Sequence, residues 1–308
     1  MTNLPQVAWL DGALVPWKDA VLHVDTQGVL GGLNVYEVVR ATWSDQDQEL
    51  YVFRSDAHFR RLRRSAQAMR MEIPFAESQL SQVVVDLLRS NAARETTGIR
   101  IVAYLGSGPL FWAVDEPVPT GMFMVAKPAS GDARPQGINV AISSWRRLSD
   151  DSAPPRIKSG ANYQNARLAQ VQARRDGYDD AILLNSAGKV SEFPLANVFG
   201  VVGGTLVTPD VTSGILEGVT RSTVLELARE LGIRAIERTV DRTELYTCEE
   251  AFATGSLLGV APILSIDRYR IGDGAEGPIT ATLRTALEFA TKDKASGRGW
   301  VRAVYGGG

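Results

Sequence analysis

Cysteine occurs once in the chain, at Cys248, so no internal disulfide can form. Such sparing use fits a cytosolic protein. Histidine occurs twice, at His23 and His58, and no Cys/His spacing suggests a zinc site. Lysine is scarce as well. Of the 33 basic residues only six are lysines: Lys18, Lys127, Lys158, Lys189, Lys292 and Lys294. Covalent chemistry by a lysine would therefore have few candidates. No apolar run is long enough to span a membrane. The start, Met1-Thr2-Asn3-Leu4-Pro5, lacks the basic residues and apolar core of a signal peptide. A net charge of −2 gives no electrostatic case for nucleic acid or an anionic membrane. Neither G-x-G-x-x-G after a first strand nor G-x-x-x-x-G-K-[ST] occurs, which argues against a dinucleotide fold or a P-loop.

The chain does hold enough apolar material for a large core. Its 308 residues are 44% hydrophobic and 22% charged, ordinary for a globular protein and long enough for two domains. Val7–Leu10, the turn Asp11-Gly12 and Ala13–Val15 read as a hairpin. Residues 35–42 and 50–53 look extended. Asp56 is a candidate N-cap for a helix in which Phe59, Leu62, Ala66 and Met69 share a face, with arginines on the other. A second helix is expected over 78–93, and strands over 98–104 and 121–126. Two prolines and two glycines in the stretch after Ala126 suggest a linker. The division expected is a small N-terminal domain at 1–127, a linker at 128–137 and a larger domain at 138–308. In the latter, strands are expected over 138–143, 181–184, 198–202 and 205–208, and helices over 162–176 and 219–231. The run Leu110-Phe111-Trp112-Ala113-Val114, inside a Gly/Pro-rich loop, should be buried against something.

Four segments carry the chemistry: Arg156-Ile157-Lys158-Ser159-Gly160-Ala161-Asn162-Tyr163, Val190-Ser191-Glu192-Phe193-Pro194-Leu195-Ala196-Asn197, Gly214-Ile215-Leu216-Glu217-Gly218-Val219-Thr220-Arg221, and Ala253-Thr254-Gly255-Ser256. Taken singly, Lys158 reads as a surface lysine, Glu192 as an exposed glutamate, Tyr163 as a core tyrosine and Thr220 as a helix cap. Together and in this order, with Trp9-Leu10-Asp11-Gly12 near the start, they resemble the branched-chain-aminotransferase-like (class IV) pyridoxal-phosphate enzymes over nearly the whole length.

The resemblance implies an α+β protein of fold type IV, with a small α/β domain followed by a larger α/β domain that has a barrel-like sheet core. It implies pyridoxal 5'-phosphate as cofactor, held as a Schiff base on Lys158, with Lys158 also moving the substrate proton. An aldehyde cofactor needs an amine, and its pyridine nitrogen must keep a proton if the ring is to draw electrons. The resemblance gives the latter task to Glu192 and the ring's phenolic oxygen to Tyr163, and packs Leu216 on the ring face. A phosphate dianion suits a helix N-terminus, so the N–H groups of Val219 and Thr220 and the Thr220 hydroxyl are expected to bind it. Arg54 and Ser256 are the further phosphate ligands implied. The cofactor is expected at the domain interface.

Substrate walls are expected from Gly31, Tyr36, Val38, Arg100, Leu257 and Leu258. Gly31 stands where the family has an aromatic residue, and Val38 where it has a small one. Arg100 has two readings, a pocket arginine or an exposed residue at a strand edge. The activity implied is transfer of an amino group from an aliphatic L-amino acid to a 2-oxo acid such as 2-oxoglutarate. Transamination of (R)-amines or D-amino acids, a lyase of the aminodeoxychorismate type, and a cofactor-binding scaffold without turnover remain alternatives. The family also implies a homodimer acting on small molecules, while the cytoplasmic location expected rests on the single cysteine.

Overall fold

The computed structural model describes residues 4–108, 118–129 and 136–306. The run at 110–114 lies outside the described residues, as does most of the stretch expected to be a linker. Two compact units are present. One comprises Met1–Ser130, Ile157–Ala161 and Ala290–Gly308; the other comprises Gly131–Arg156 and Asn162–Phe289. A single cut near residue 130 therefore does not describe the division. A five-residue segment around Lys158 and the last stretch of chain both return to the first unit.

The first unit contains β1 (Val7–Leu10), β2 (Ala13–Pro16), α1 (Gln27–Leu30), β3 (Asn34–Ser44), β4 (Glu49–Phe53), α2 (Ser55–Ala68), α3 (Glu77–Ser90), β5 (Thr97–Leu105) and β6 (Thr120–Pro128). The β1–β2 turn places Asp11 and Gly12 at positive φ, as a two-residue hairpin requires. Val35, Val39 and Ala41 of β3 alternate inward with Ile99, Ile101 and Ala103 of β5 and Met122 and Met124 of β6. They meet Phe59, Leu62 and Ala66 of α2, and Leu80, Val84, Leu87 and Leu88 of α3. The period of two on the strands and of three to four on the helices creates this core.

The second unit contains β7 (Ile138–Arg146), α4 (Tyr163–Arg175), β8 (Asp180–Leu184), β9 (Asn197–Val202), β10 (Thr205–Thr208), α5 (Val219–Glu230), β11 (Ala235–Glu237), α6 (Arg242–Thr247), β12 (Glu250–Gly255), β13 (Gly259–Ile266), β14 (Tyr269–Arg270) and α7 (Pro278–Ala290). Its sheet runs β11-β10-β9-β12-β13-β7-β8, with β14 beside β13, and one of the molecule's two sheets curls as a half-barrel. Parallel pairs join β10 to β11 and β13 to β7 to β8, while the others are antiparallel. Gly203 and Gly204 turn the β9–β10 hairpin at positive φ. Cys248 is buried among Val198, Leu245 and Ala251.

The last strand, β15 (Val301–Ala303), belongs to the first unit. It completes an all-antiparallel sheet ordered β15-β4-β3-β5-β6-β1-β2. Two local expectations need correction. The cap of α2 is Arg54 rather than Asp56, which lies in the first turn and pairs with Arg60 at 2.9 Å. The arginines of α2 are not all on its outer face, because Arg61 is buried against β3.

Candidate active site

In the first unit, Lys158 is held by its backbone from two sides. Its N–H donates to Ser65 Oγ of α2 at 3.2 Å, and its carbonyl accepts from Tyr36 N–H of β3 at 2.9 Å. Ser159 forms a bridge with Val35, and Ile157 packs against the core. Gly160 lies close to Asn34: a Cβ there would sit 2.5 Å from its Oδ1, so a side chain at 160 would require the Asn34 amide to turn away. The Lys158 Nζ lies over the Tyr36 ring, 4.7 Å from its centre.

Tyr36 marks which face of the sheet this is. Its neighbours on β3 at period two are Val38 and Arg40, and directly across on β5 are Val102 and Arg100. Directly opposed residues project to the same face. Tyr36, Val38 and Arg100 thus share the face away from the α2–α3 core, the face that carries Lys158 Nζ. Arg100 is exposed, as its surface reading expects, although β5 is an interior strand and not an edge of the sheet. Gly31 follows α1 and is exposed.

Beneath Tyr36, on the core face, is a cluster that the sequence reading missed. The Glu37 carboxylate is fully buried. Arg61 donates to it through Nε and Nη2, both at 2.7 Å, and His58 Nδ1 lies 2.7 Å from its Oε2. Burial alone would raise the Glu37 pKa, but the Arg61 guanidinium, helped by His58, holds it well below the ordinary 4.5. Burial depresses His58 below its ordinary 6.5 against the opposing pull of Glu37, with the charges of Arg61 and Lys158 adding to the depression. The available signal was Glu37 at an inward position of a strand, with His58 and Arg61 one helical turn apart.

Arg54 follows β4 and adopts the left-handed conformation, φ 50°. Its N–H donates to Trp300 O at 2.6 Å, and its guanidinium lies 4.7 Å from the Trp300 ring centre.

In the second unit, Glu192 is buried and its carboxylate is held on both oxygens. Arg147 Nη2 reaches Oε1 at 2.8 Å, while Asn197 Nδ2 and the Leu216 N–H donate to Oε2 at 3.0 and 3.1 Å. Asn197 Nδ2 also donates to Leu216 O at 3.0 Å. Leu216 is thus fastened through both sides of its peptide. Asn197 crowds the entry to α5 as well, since a Cβ at Gly218 would lie 2.1 Å from its Oδ1. No side chain caps α5, and Val219 and Thr220 in its first turn are largely buried. Ser191 Oγ, next to Glu192, is buried without a hydrogen-bond partner. Tyr163 opens α4. Ser256, Leu257 and Leu258 form the three-residue turn between β12 and β13, and Leu258 leans on the core of this unit. Arg147 and Asn197 had not been singled out. Arg147 follows Arg146, which is exposed, and charge alone cannot tell the two apart.

The first unit carries an amine, Lys158, and an arginine, Arg54; the second carries a carboxylate, Glu192, and an uncapped twelve-residue helix. Groups of these kinds suit an aldehyde, a phosphate dianion and a pyridine nitrogen. The family model for amino-transferase class IV matches residues 34–266. The chain belongs to the class IV aminotransferases. A probable branched-chain-amino-acid aminotransferase of Aquifex aeolicus is 34% identical over 300 residues, covering 97% of this chain and 96% of the relative. The branched-chain aminotransferase of Thermobaculum terrenum in its PLP-form superposes with a TM-score of 0.92 at 39% identity, covering 98% and 99% of the two chains. A T.th. branched-chain aminotransferase complexed with N-(5'-phosphopyridoxyl)-L-glutamate does so with a TM-score of 0.92 at 31% identity, covering 99% and 100%. This class IV aminotransferase is a pyridoxal-phosphate enzyme of fold type IV. Among the described residues no His, Cys, Asp and Glu cluster suits a metal ion, and no helix is long and apolar enough to cross a membrane.

Proposed function

We propose that this aminotransferase moves the amino group of an aliphatic L-amino acid to a 2-oxo acid such as 2-oxoglutarate. The observation that carries the reading is the shared sheet face of Tyr36, Val38 and Arg100 with Lys158 Nζ. Tyr36 and Val38 offer an apolar wall for a hydrocarbon side chain, and Arg100 a cation for the second carboxylate of a dicarboxylic acceptor. Relatives named for branched-chain amino acids, and the L-glutamate adduct of the T.th. enzyme, support the same pair of substrates. Gly31, Leu257 and Leu258 are proposed as further substrate walls.

Bound pyridoxal phosphate supplies an electron-withdrawing ring that stabilises negative charge at the substrate Cα. Lys158 would hold the cofactor through Nζ, and the same Nζ is placed to take the substrate Cα proton. Its fixed backbone limits where Nζ can reach. Glu192, kept in place by Arg147, Asn197 and Leu216 N–H, holds the proton of the pyridine nitrogen. Tyr163 donates to the phenolic oxygen, and Leu216 supports the ring face. Arg54, Ser256, Thr220 Oγ1 and the N–H groups of Val219 and Thr220 bind the phosphate. We propose a homodimer on family grounds and a cytoplasmic location from the sparing use of cysteine.

The test is a coupled assay of glutamate formation from 2-oxoglutarate with leucine, isoleucine or valine as donor. Transfer from at least one is expected; transfer from none would overturn the substrate assignment. Lys158→Ala should lower transfer about a thousandfold and remove the visible absorbance of the bound cofactor. A variant that kept both would dismiss Lys158 from its role.

A further inference from the structure

The conformation of Arg54 calls for a cause. A non-glycine residue at positive φ is uncommon and persists where its surroundings enforce it. Here the enforcement comes from the far end of the chain. Trp300 O accepts the Arg54 N–H at 2.6 Å, and one residue on, Val301 of β15 pairs with Phe53. The Trp300 ring meets Phe53 edge-on, with ring centres 6.1 Å apart and planes at 86°. The same ring lies 4.7 Å from the Arg54 guanidinium and 5.0 Å from that of Arg298, which is in turn paired with Asp293 at 3.3 Å. Trp300 therefore grips Arg54 at both ends, by its main chain and by its charged head.

We propose that Trp300 is the positioning residue for Arg54, and that it thereby sets how well this chain distinguishes a phosphate monoester from the same molecule without its phosphate. The inference rests on the reading of Arg54 as a phosphate ligand. An arginine side chain has many rotamers, and fixing one on binding costs affinity. A guanidinium already resting on an indole face has lost much of that freedom beforehand. Stacking on the indole face fixes the plane of the guanidinium, and with it the directions of its N–H donors. Loss of the ring should weaken binding of the phosphate while leaving the ring and aldehyde of the ligand unaffected.

The experiment titrates the full-length apoprotein with two probes, pyridoxal phosphate and pyridoxal. Both carry the aldehyde with which Lys158 reacts, so the ratio of their dissociation constants isolates the phosphate. Trp300→Leu should lower this preference about tenfold, with pyridoxal affinity unchanged within about twofold. Trp300→Phe should recover part of the loss, because a phenyl face attracts a cation less than an indole does. Equal weakening of both probes would mean a merely structural tryptophan and would overturn the inference. Should Trp300→Leu fail to fold, Trp300→Phe decides: a preference lowered about threefold supports the role, and an unchanged one ends it. Arg54→Gln separates the two levels of argument. If it abolishes the preference while the Trp300 variants do not, only the inference falls. If it leaves the preference intact, the phosphate role of Arg54 fails, and the role of Trp300 with it.

Discussion

Glu37 in the first unit and Glu192 in the second are both buried beside an arginine, look alike by charge and differ in what they are free to do. Glu37 meets Arg61 through two hydrogen bonds and His58 through a third, beneath the strand that bears Tyr36. Glu192 meets Arg147, Asn197 and the Leu216 N–H in the connection between β8 and β9. The partners of Glu37 lie on a helix of the core and fasten α2 to β3, the two elements that hold the Lys158 backbone. Those of Glu192 fasten loops and the approach to α5. A buried ion pair alone therefore says little about catalysis; the elements it joins say more.

Breaking each carboxylate separately tests this contrast. Glu192→Gln should lower turnover on the order of a hundredfold even where the folded fraction is restored, measured as amino transfer under saturating cofactor. Normal turnover would make Glu192 a structural residue like Glu37. Glu37→Gln leaves Arg61 buried with a neutral partner and should cost about 3 kcal/mol of stability, read from denaturant unfolding. Its turnover, measured on folded protein, should stay within about tenfold of the parent. A larger fall without unfolding would move Glu37 into the chemistry.

A smaller effect follows from acid. Below the ordinary pKa of 6.5 the unfolded chain binds a proton at His58 that the folded chain resists, so stability present above that pH is lost as pH falls. Glu37 adds a second loss below 4.5, where the unfolded carboxyl takes up a proton before the folded one does. His58→Gln should flatten the first limb in unfolding midpoints between pH 7 and 5. An unaltered slope would place the proton uptake elsewhere. The smallest effect concerns Cys248, whose thiol burial pushes up to about 12. It should resist a thiol reagent in the native protein and react once the second unit unfolds; rapid native labelling would show that unit to be open.

Much of the local structure could be read from pattern. Asp11-Gly12 announced its hairpin, and the apolar face of α2 followed from Phe59, Leu62 and Ala66. Lys158, Glu192 and Thr220 emerged only as an ordered set, because each alone is an ordinary surface or cap residue. Arg61 and Arg147 were hidden for the opposite reason. A charged residue is read as exposed unless its partner is known, and these partners lie 24 and 45 residues away. The short β15 offered three residues and no period to detect, although it closes one side of a seven-stranded sheet.

That late strand also imposes an order on folding. In the chain, Phe53 and its partner Val301 are separated by the whole second unit, and the segment from Ile157 to Ala161 must likewise find its place against β3. During synthesis the second unit has all its strands before the first has its last one. Until residues 301–303 have been made, β4 keeps an unpaired edge, the kind of edge on which nascent chains associate. Closures over such separations are slow to find. In refolding, protection of β4 amides should thus arrive with the docking of β15, after local helices and hairpins have formed.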